Sequence, residues 1–313
     1  MKRQYVAELK EGDRVNDYFL ASRKDLRSRQ NGGKFLGLVL RDKTGEIGAV
    51  AWDGAEMLGR LFETGDVIAV RGSVHTYQDR LQIRVESIAA LNPEDYDPAD
   101  LKGSSQDPAE DRVRYLEKLR GVQHPDLKRL LRVFLDDSAF MEQFCGASAG
   151  KKWHHEYAGG LLRHCLEMTC LAETLCELFP GLHRDLLVTA IFFHDIGKLR
   201  EMTHDLVVDY TDEGKLLGHL HLGTVMLERA IARLDHFPEE LRLRLVHCVL
   251  SHHGELQNGS PVTPRTAEAV ALHFIDNLDA QTEAFLRVIR ETRSRGQEWS
   301  DYLPLVDRVI WAR

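Results

Sequence analysis

The sequence predicts two domains of different class, a small all-β barrel followed by an all-α domain. Three observations lead there. The first ninety or so residues alternate short β-rich runs with glycine-marked turns. A stretch rich in Pro, Ser and acid follows at 92–111. Beyond it, apolar residues recur at helical spacing, with no strong strand signal after residue 210. A chain of 313 residues suits two domains, and 43% hydrophobic residues is enough for ordinary cores.

In the first domain, residues 1–91, Phe35–Leu40 reads as a strand and Asp42–Gly45 as the turn after it. Glu46–Trp52 resumes as a second strand, which makes a hairpin. A short helix is expected near Ala55–Phe62. Asp66–Val74 then pairs with Leu81–Val85 across the turn Tyr77–Arg80. Four or five short strands with a helix between the third and fourth describe an OB-like barrel. The acidic segment 92–111 is expected to be a linker. In the second domain, 112–313, helical spacing marks Leu127–Leu135, Leu161–Leu178, Leu186–Phe193, Gly218–Leu234, Leu241–Leu250 and Ala267–Ile289.

Net charge is −8, unevenly distributed: +2 over residues 1–92 and −10 over the remainder. Overall acidity therefore does not exclude nucleic acid, because a mildly basic first domain could bind it alone. No apolar run approaches membrane-spanning length, so a membrane protein is not expected. Met1–Tyr5 shows no apolar signal region, and the five cysteines (145, 165, 170, 176, 248) include no CxxC pair. A cytoplasmic protein with reduced thiols is the expectation.

His194-Asp195 closes the apolar run Ala190–Phe193. Burying both side chains unpartnered would cost several kcal/mol, and imidazole with carboxylate suits a divalent transition metal. Other candidates share this placement. His164 opens a helix after Gly159-Gly160, His252-His253 closes the helix ending at Leu250-Ser251, Asp276 interrupts Val270–Leu278, and His219 follows Leu217-Gly218. Each alone could be a satisfied core or surface residue. Their order along the chain, H…HD…H…HH…D with each group on its own helix, calls for a common cause.

These motifs resemble the HD-domain superfamily of metal-dependent phosphohydrolases. The closer resemblance is to YhaM-type 3′–5′ exoribonucleases, in which an OB-like domain precedes an HD domain. It is carried by His154-His155-Glu156-Tyr157-Ala158-Gly159-Gly160-Leu161-Leu162-Arg163-His164, by Phe193–Lys198, by Leu217-Gly218-His219 with Gly223, by Leu250–Glu255 and by Asp276–Ala280. The resemblance implies that His164, His194, Asp195 and Asp276 form a primary metal site. Asp195 would bridge to a second ion held by His219 and by His252 or His253, the choice between these two staying open. The ion implied is manganese, one or two per site, with iron, cobalt, nickel and magnesium as alternatives.

Lys198 lies one turn beyond His194 and is read as contacting the scissile phosphate, beside the plainer reading of a helix-end lysine favoured by the helix dipole. Asp195 and Lys198 are thus the catalytic candidates. Lys152, His154 and His155 precede the first ligand and are candidates for the substrate entrance, a polar loop being the alternative. Asp279 is either a partner to a ligand or an ordinary helix contact.

In the barrel, Phe35, Trp52 and Tyr77 are candidates for base stacking, although aromatic residues also fill small cores. Arg23, Lys24, Arg27, Arg29 and Lys34 surround a single acid, Asp25, and read as a phosphate-tracking rim beside a barrel face or as a solvated loop. The expected function is metal-dependent removal of nucleotides from the 3′ end of single-stranded RNA, with action on single-stranded DNA and homo-oligomerisation both left open. Polarity and exonucleolytic mode come from the resemblance alone. The alternative is an HD phosphohydrolase acting on a small nucleotide or cyclic dinucleotide, for which a strand-holding barrel has no use.

Overall fold

The computed structural model describes residues 1–313 except 30, 31, 79, 104–106, 152–154, 205, 207 and 305. The chain divides into two compact units, residues 1–104 with 205–207, and 105–204 with 208–313.

The first unit is a closed five-stranded barrel. Its strands are β1 (Arg14–Ser28), β2 (Lys34–Asp42), β3 (Gly45–Ala51), β4 (Val67–Tyr77) and β5 (Arg80–Ala90), with the short helix α1 (Ala55–Gly59) between β3 and β4. The strand order is β1-β2-β3-β5-β4, closing on β1. All neighbours are antiparallel except β3 and β5, which pair in parallel at Gly48–Val50 with Gln82–Arg84. Period-two alternation sends Leu36, Leu38 and Leu40 of β2 inward, where they meet Phe19, Ile68, Val70 and Ile83. Gly72 sits at an irregularity in the β4–β5 pairing, and a Cβ there would lie 2.2 Å from the Arg84 carbonyl oxygen. Only glycine allows that approach.

The basic run Arg23–Arg29 is strand through Ser28 rather than a solvated loop. β1 is long enough to serve two partners, Arg14–Leu20 pairing with β4 and Leu20–Ser28 with β2. Pairing satisfies the backbone whatever the side chains carry, so a charged run can be a strand when its side chains point outward. The acidic segment at 92–111 is ordered over much of its length. It contains two 3₁₀ turns, Pro93–Asp95 and Pro98–Asp100, and helix α2 begins at Pro108 with Asp107 accepting from the Glu110 N–H. Asp100 is buried against the barrel, accepting from the hydroxyls of Tyr5 (2.7 Å) and Tyr18 (2.8 Å) and from Lys43 (3.0 Å).

The second unit is helical: α2 (Pro108–Arg120), α3 (Pro125–Leu135), α4 (Ser138–Gly146), α5 (Gly160–Leu178), α6 (Arg184–His194), α7 (Lys198–Glu201), α8 (Asp212–Ile231), α9 (Glu239–Ser251) and α10 (Ala267–Ser294). Side-chain caps start several of them, including Asp137 on Phe140, Thr211 on Gly214 and Thr266 on Ala269. Helix α6 is buried from Leu186 to His194 and packs against α3, α5, α8, α9 and α10. A helix apolar on every side belongs in the middle of a core. Phe134, Phe140, Phe144, Phe192 and Phe193 pack edge-on or tilted around it. Among the described residues no helix is long and apolar enough to cross a membrane.

Candidate metal centre and nucleic-acid face

Because α6 runs through the core, its C-terminus delivers His194 and Asp195 to a buried position, 0% and 2% exposed. Four other helices bring the remaining candidates to the same place. His164 comes from the second turn of α5, and Asp276 from the third turn of α10. His252 caps α9 with His253 beside it. His219 follows a kink in α8 at Gly218, whose φ of 69° breaks the helix there.

The side chains form two clusters. In one, His164, His194 and Asp276 each offer a ligand atom within 4.8 Å of the others, and in the other His219, His252 and His253 do the same. Nε2 of His164 lies 3.3 Å from Nε2 of His194 and 3.2 Å from Asp276 Oδ1. Nε2 of His219 lies 3.2 Å from Nε2 of His253. Asp195 stands between the clusters. Its Oδ2 is 3.3 Å from His194 Nε2, and its Oδ1 is 3.6 and 3.7 Å from Nε2 of His219 and His252. Lys198 Nζ reaches Oδ2 at 2.6 Å.

This arrangement fits a bound cation. Asp195 Oδ1 is buried without a hydrogen-bond partner among the described residues, a costly state unless something positive satisfies it. The imidazoles are also prepared as ligands. Burial, helped by neighbouring histidines, lowers the pKa of His252 well below its ordinary value and lowers that of His253, so both present free lone pairs. Burial works against the Asp195 carboxylate, yet Lys198 and His194 hold its pKa well below the usual range. Asp276 is likewise burdened by burial and held low by His164, which donates to it. Burial lowers the pKa of His164, but its hydrogen bonds to Asp276 and Asp279 raise it to about 10. A third group, His155, His164 and Asp279, is also close together. It is already closed by hydrogen bonds, Asp279 Oδ2 accepting at 2.6 Å from His164 and 3.0 Å from His155.

His155, a candidate for the substrate entrance, is thus placed elsewhere. It is 1% exposed, with its ring spent on Asp279 and on the Tyr157 hydroxyl at 2.8 Å. Glycine at 160 permits this, since a Cβ there would lie 1.9 Å from the His155 carbonyl oxygen. Lys152 and His154 lie outside the described residues. Glu201 was not foreseen. It accepts from His219 Nδ1 at 2.9 Å and from the His219 backbone N–H at 3.0 Å. The available signal was an acid on the short helix that follows the His194-Asp195 corner.

On the barrel, Phe35 and Trp52 are brought together with ring centroids 5.0 Å apart, and the Arg29 guanidinium lies 4.8 Å from the Trp52 ring. Arg29 also donates to the Trp52 carbonyl. Tyr77 does not join them. It pairs with Arg80 at the β4–β5 turn, whereas Trp52 lies just beyond the far end of β3, past the residues that pair with Gln82–Arg84. Arg23 is exposed, with its Nε 2.9 Å from Asp25. Lys24 is turned inward. Its Nζ donates to the carbonyls of Gly59 (3.1 Å) and Phe62 (2.6 Å) and to Glu63 (2.6 Å), which fastens the end of α1 rather than facing solvent.

Comparison with known proteins agrees with this organisation. The model for the OB-fold nucleic acid binding domain matches residues 22–91, and the HD domain model matches 161–281. The 3′–5′ exoribonuclease YhaM of Geobacillus sp. (strain WCH70) is 34% identical over 284 residues, covering 90% of this chain and 87% of that protein. The chain belongs to the YhaM exoribonuclease family. Among solved structures, the second OB-fold domain of replication protein A from Methanococcus maripaludis is 27% identical. It covers 29% of this chain and 96% of that one, with a TM-score of 0.23. The replication factor A related protein from Methanobacterium thermoautotrophicum is 22% identical, covering 29% and 93%, with a TM-score of 0.24. In this YhaM-family chain the HD-domain match spans His164, His194, Asp195, His219, His252, His253 and Asp276. HD domains are metal-dependent, and both histidine clusters lie inside the match.

Proposed function

We propose that this protein is a metal-dependent 3′–5′ exoribonuclease that hydrolyses phosphodiester bonds of single-stranded RNA. The observation that carries the reading is the pair of histidine-containing clusters with Asp195 between them, in a member of the YhaM family. His164, His194, Asp276 and Asp195 would hold one ion, and His219, His252, His253 and Asp195 the other. Manganese is the ion carried over from the family resemblance; the carboxylates of Asp195 and Asp276 suit it, while the imidazoles equally admit iron, cobalt or nickel. Such ions, when bound, supply activation of a water and neutralisation of charge on the phosphate.

The chain's own residues do the rest. Lys198 is 12% exposed at its side chain and keeps its charge, because Asp195 raises its pKa against the effect of burial. From beside Asp195 Oδ2 its ammonium is placed to contact a phosphate or leaving oxygen at the centre. The barrel, residues 1–91, binds the strand through Phe35 and Trp52 with Arg29 and Arg23 on phosphates. The helical domain, residues 112–313, cuts it. Five free cysteines support a reducing, cytoplasmic setting.

The test is a 5′-labelled single-stranded RNA incubated with manganese-loaded protein. A ladder shortening from the 3′ end is expected. Intact RNA beside hydrolysed cyclic dinucleotide or mononucleotide would overturn the reading.

A further inference from the structure

Every histidine in the two clusters has its Nδ1 pinned, which aims Nε2 into the site. Three are pinned by backbone carbonyls: His194 by Ile191 (2.7 Å), His252 by Val249 (2.8 Å) and His253 by Asn258 (3.0 Å). Two are pinned by buried carboxylates, and they fall one in each cluster. Asp279 holds His164 at 2.6 Å and Glu201 holds His219 at 2.9 Å.

Each carboxylate is itself fixed. Asp279 lies one turn along α10 from Asp276 and is gripped from behind by His155, whose other nitrogen meets the Tyr157 hydroxyl. Glu201 is fixed by the kink in α8. The kink at Gly218 starts a new helical segment, and the freed His219 N–H points at the same Glu201 oxygen that accepts from its ring. Glu201 thus caps that segment and orients its first imidazole together. A carbonyl sets the ring tautomer as well as a carboxylate does. A full negative charge in addition raises the electron density that the opposite nitrogen offers to a cation.

We propose that Asp279 and Glu201 are positioning residues, one for each half of the centre, so that the affinities of the two cations are set separately by two carboxylates that touch neither ion. The proposal rests on the reading that the clusters hold cations. Glu201→Gln and Asp279→Asn are suitable probes, because the amide oxygen still accepts the hydrogen bond and the cap while the charge is lost.

The experiment titrates metal-free protein with Mn(II) alone, by calorimetry and by electron paramagnetic resonance. The wild type should bind two ions. Glu201→Gln should raise the dissociation constant of one ion about 10–100-fold and leave the other within about threefold; Asp279→Asn should do the converse. In a His253→Ala background, which removes a ligand of one half, the remaining ion should respond to Asp279→Asn and ignore Glu201→Gln. Long-range ¹H–¹⁵N spectra should show the Nδ1–H tautomer of His164 and His219 kept in both variants, which a collapsed fold would not give. Equal weakening of the remaining ion by both substitutions, or unchanged affinities in both, would overturn the proposal. The split losses without any RNA hydrolysis would leave it standing and overturn the functional reading alone.

Discussion

Lys198 Nζ sits 2.6 Å from Asp195 Oδ2, while Oδ1 of the same carboxylate faces His219 and His252 with no hydrogen-bond partner among the described residues. One carboxylate therefore faces a fixed ammonium on one side and a histidine cluster on the other. That division distinguishes two kinds of loss at neighbouring residues.

Lys198→Met removes the ammonium and keeps the stem, so both ions and RNA affinity should persist. Turnover should fall by about 10²–10³-fold, the effect of losing a preorganised charge at a reacting centre. Single-turnover kinetics on a short RNA, with KM measured in parallel, would check it. A rise in KM at unchanged kcat would assign Lys198 to substrate binding only.

Asp195→Ala removes the group common to both halves. Metal content after gel filtration should drop from two ions to less than one, with activity lost. Manganese at about a hundred times its dissociation constant should stabilise the wild-type fold by about 2.7 kcal/mol per site, and this increment should vanish in the variant. Thermal scans with and without manganese supply the measurement, and an undiminished increment would exclude Asp195 from the centre.

The barrel predicts an asymmetry between two exposed aromatic residues. Trp52→Ala breaks the stack with Phe35 and Arg29, and should weaken binding of an oligonucleotide by about 1–3 kcal/mol. Tyr77→Ala, at the β4–β5 turn, should change it by less than about 0.5 kcal/mol. Fluorescence anisotropy over a salt series separates them. Equal losses would place the strand on a different face.

Acid should loosen the barrel through Asp100. Burial works against its charge, but the hydroxyls of Tyr5 and Tyr18 and the Lys43 ammonium lower its pKa to about 2, from an ordinary value of 3.8. A carboxyl lowered on folding contributes stability above its unfolded value and loses it as pH falls through the folded one. The loss should therefore fall between about pH 4 and pH 2. Asp100→Asn should flatten that part of the acid-unfolding curve, which circular dichroism at the β signal would record.

Much of this molecule is determined by local sequence. The hairpins of the barrel follow from alternation and glycine turns. The helices follow from apolar periodicity and caps such as Thr211 and Thr266. The ligand candidates stood out because His194, Asp195 and Asp276 sit in apolar runs where a charge is expensive. Arg23–Arg29 as strand was not legible, because its pairing partner β2 is what satisfies that backbone. The inward turn of Lys24 depends on the carbonyls at the end of α1, which approach it only after folding.

The sequence by itself determined the two fold classes, the order of the domains and the residue types at the centre, since each depends on periodicity or on the cost of burying a polar group. Tertiary structure alone decided that seven side chains from five helices converge as two clusters about Asp195. It also decided that His155 lies behind the site rather than at its mouth, that Glu201 backs His219, and that Trp52 and Tyr77 lie at opposite ends of the barrel. The reason is physical. A side chain's type and local conformation are written in its neighbours along the chain, while the direction of its ring nitrogen is fixed by a hydrogen-bond partner that can be more than a hundred residues away, as Asp279 is from His164.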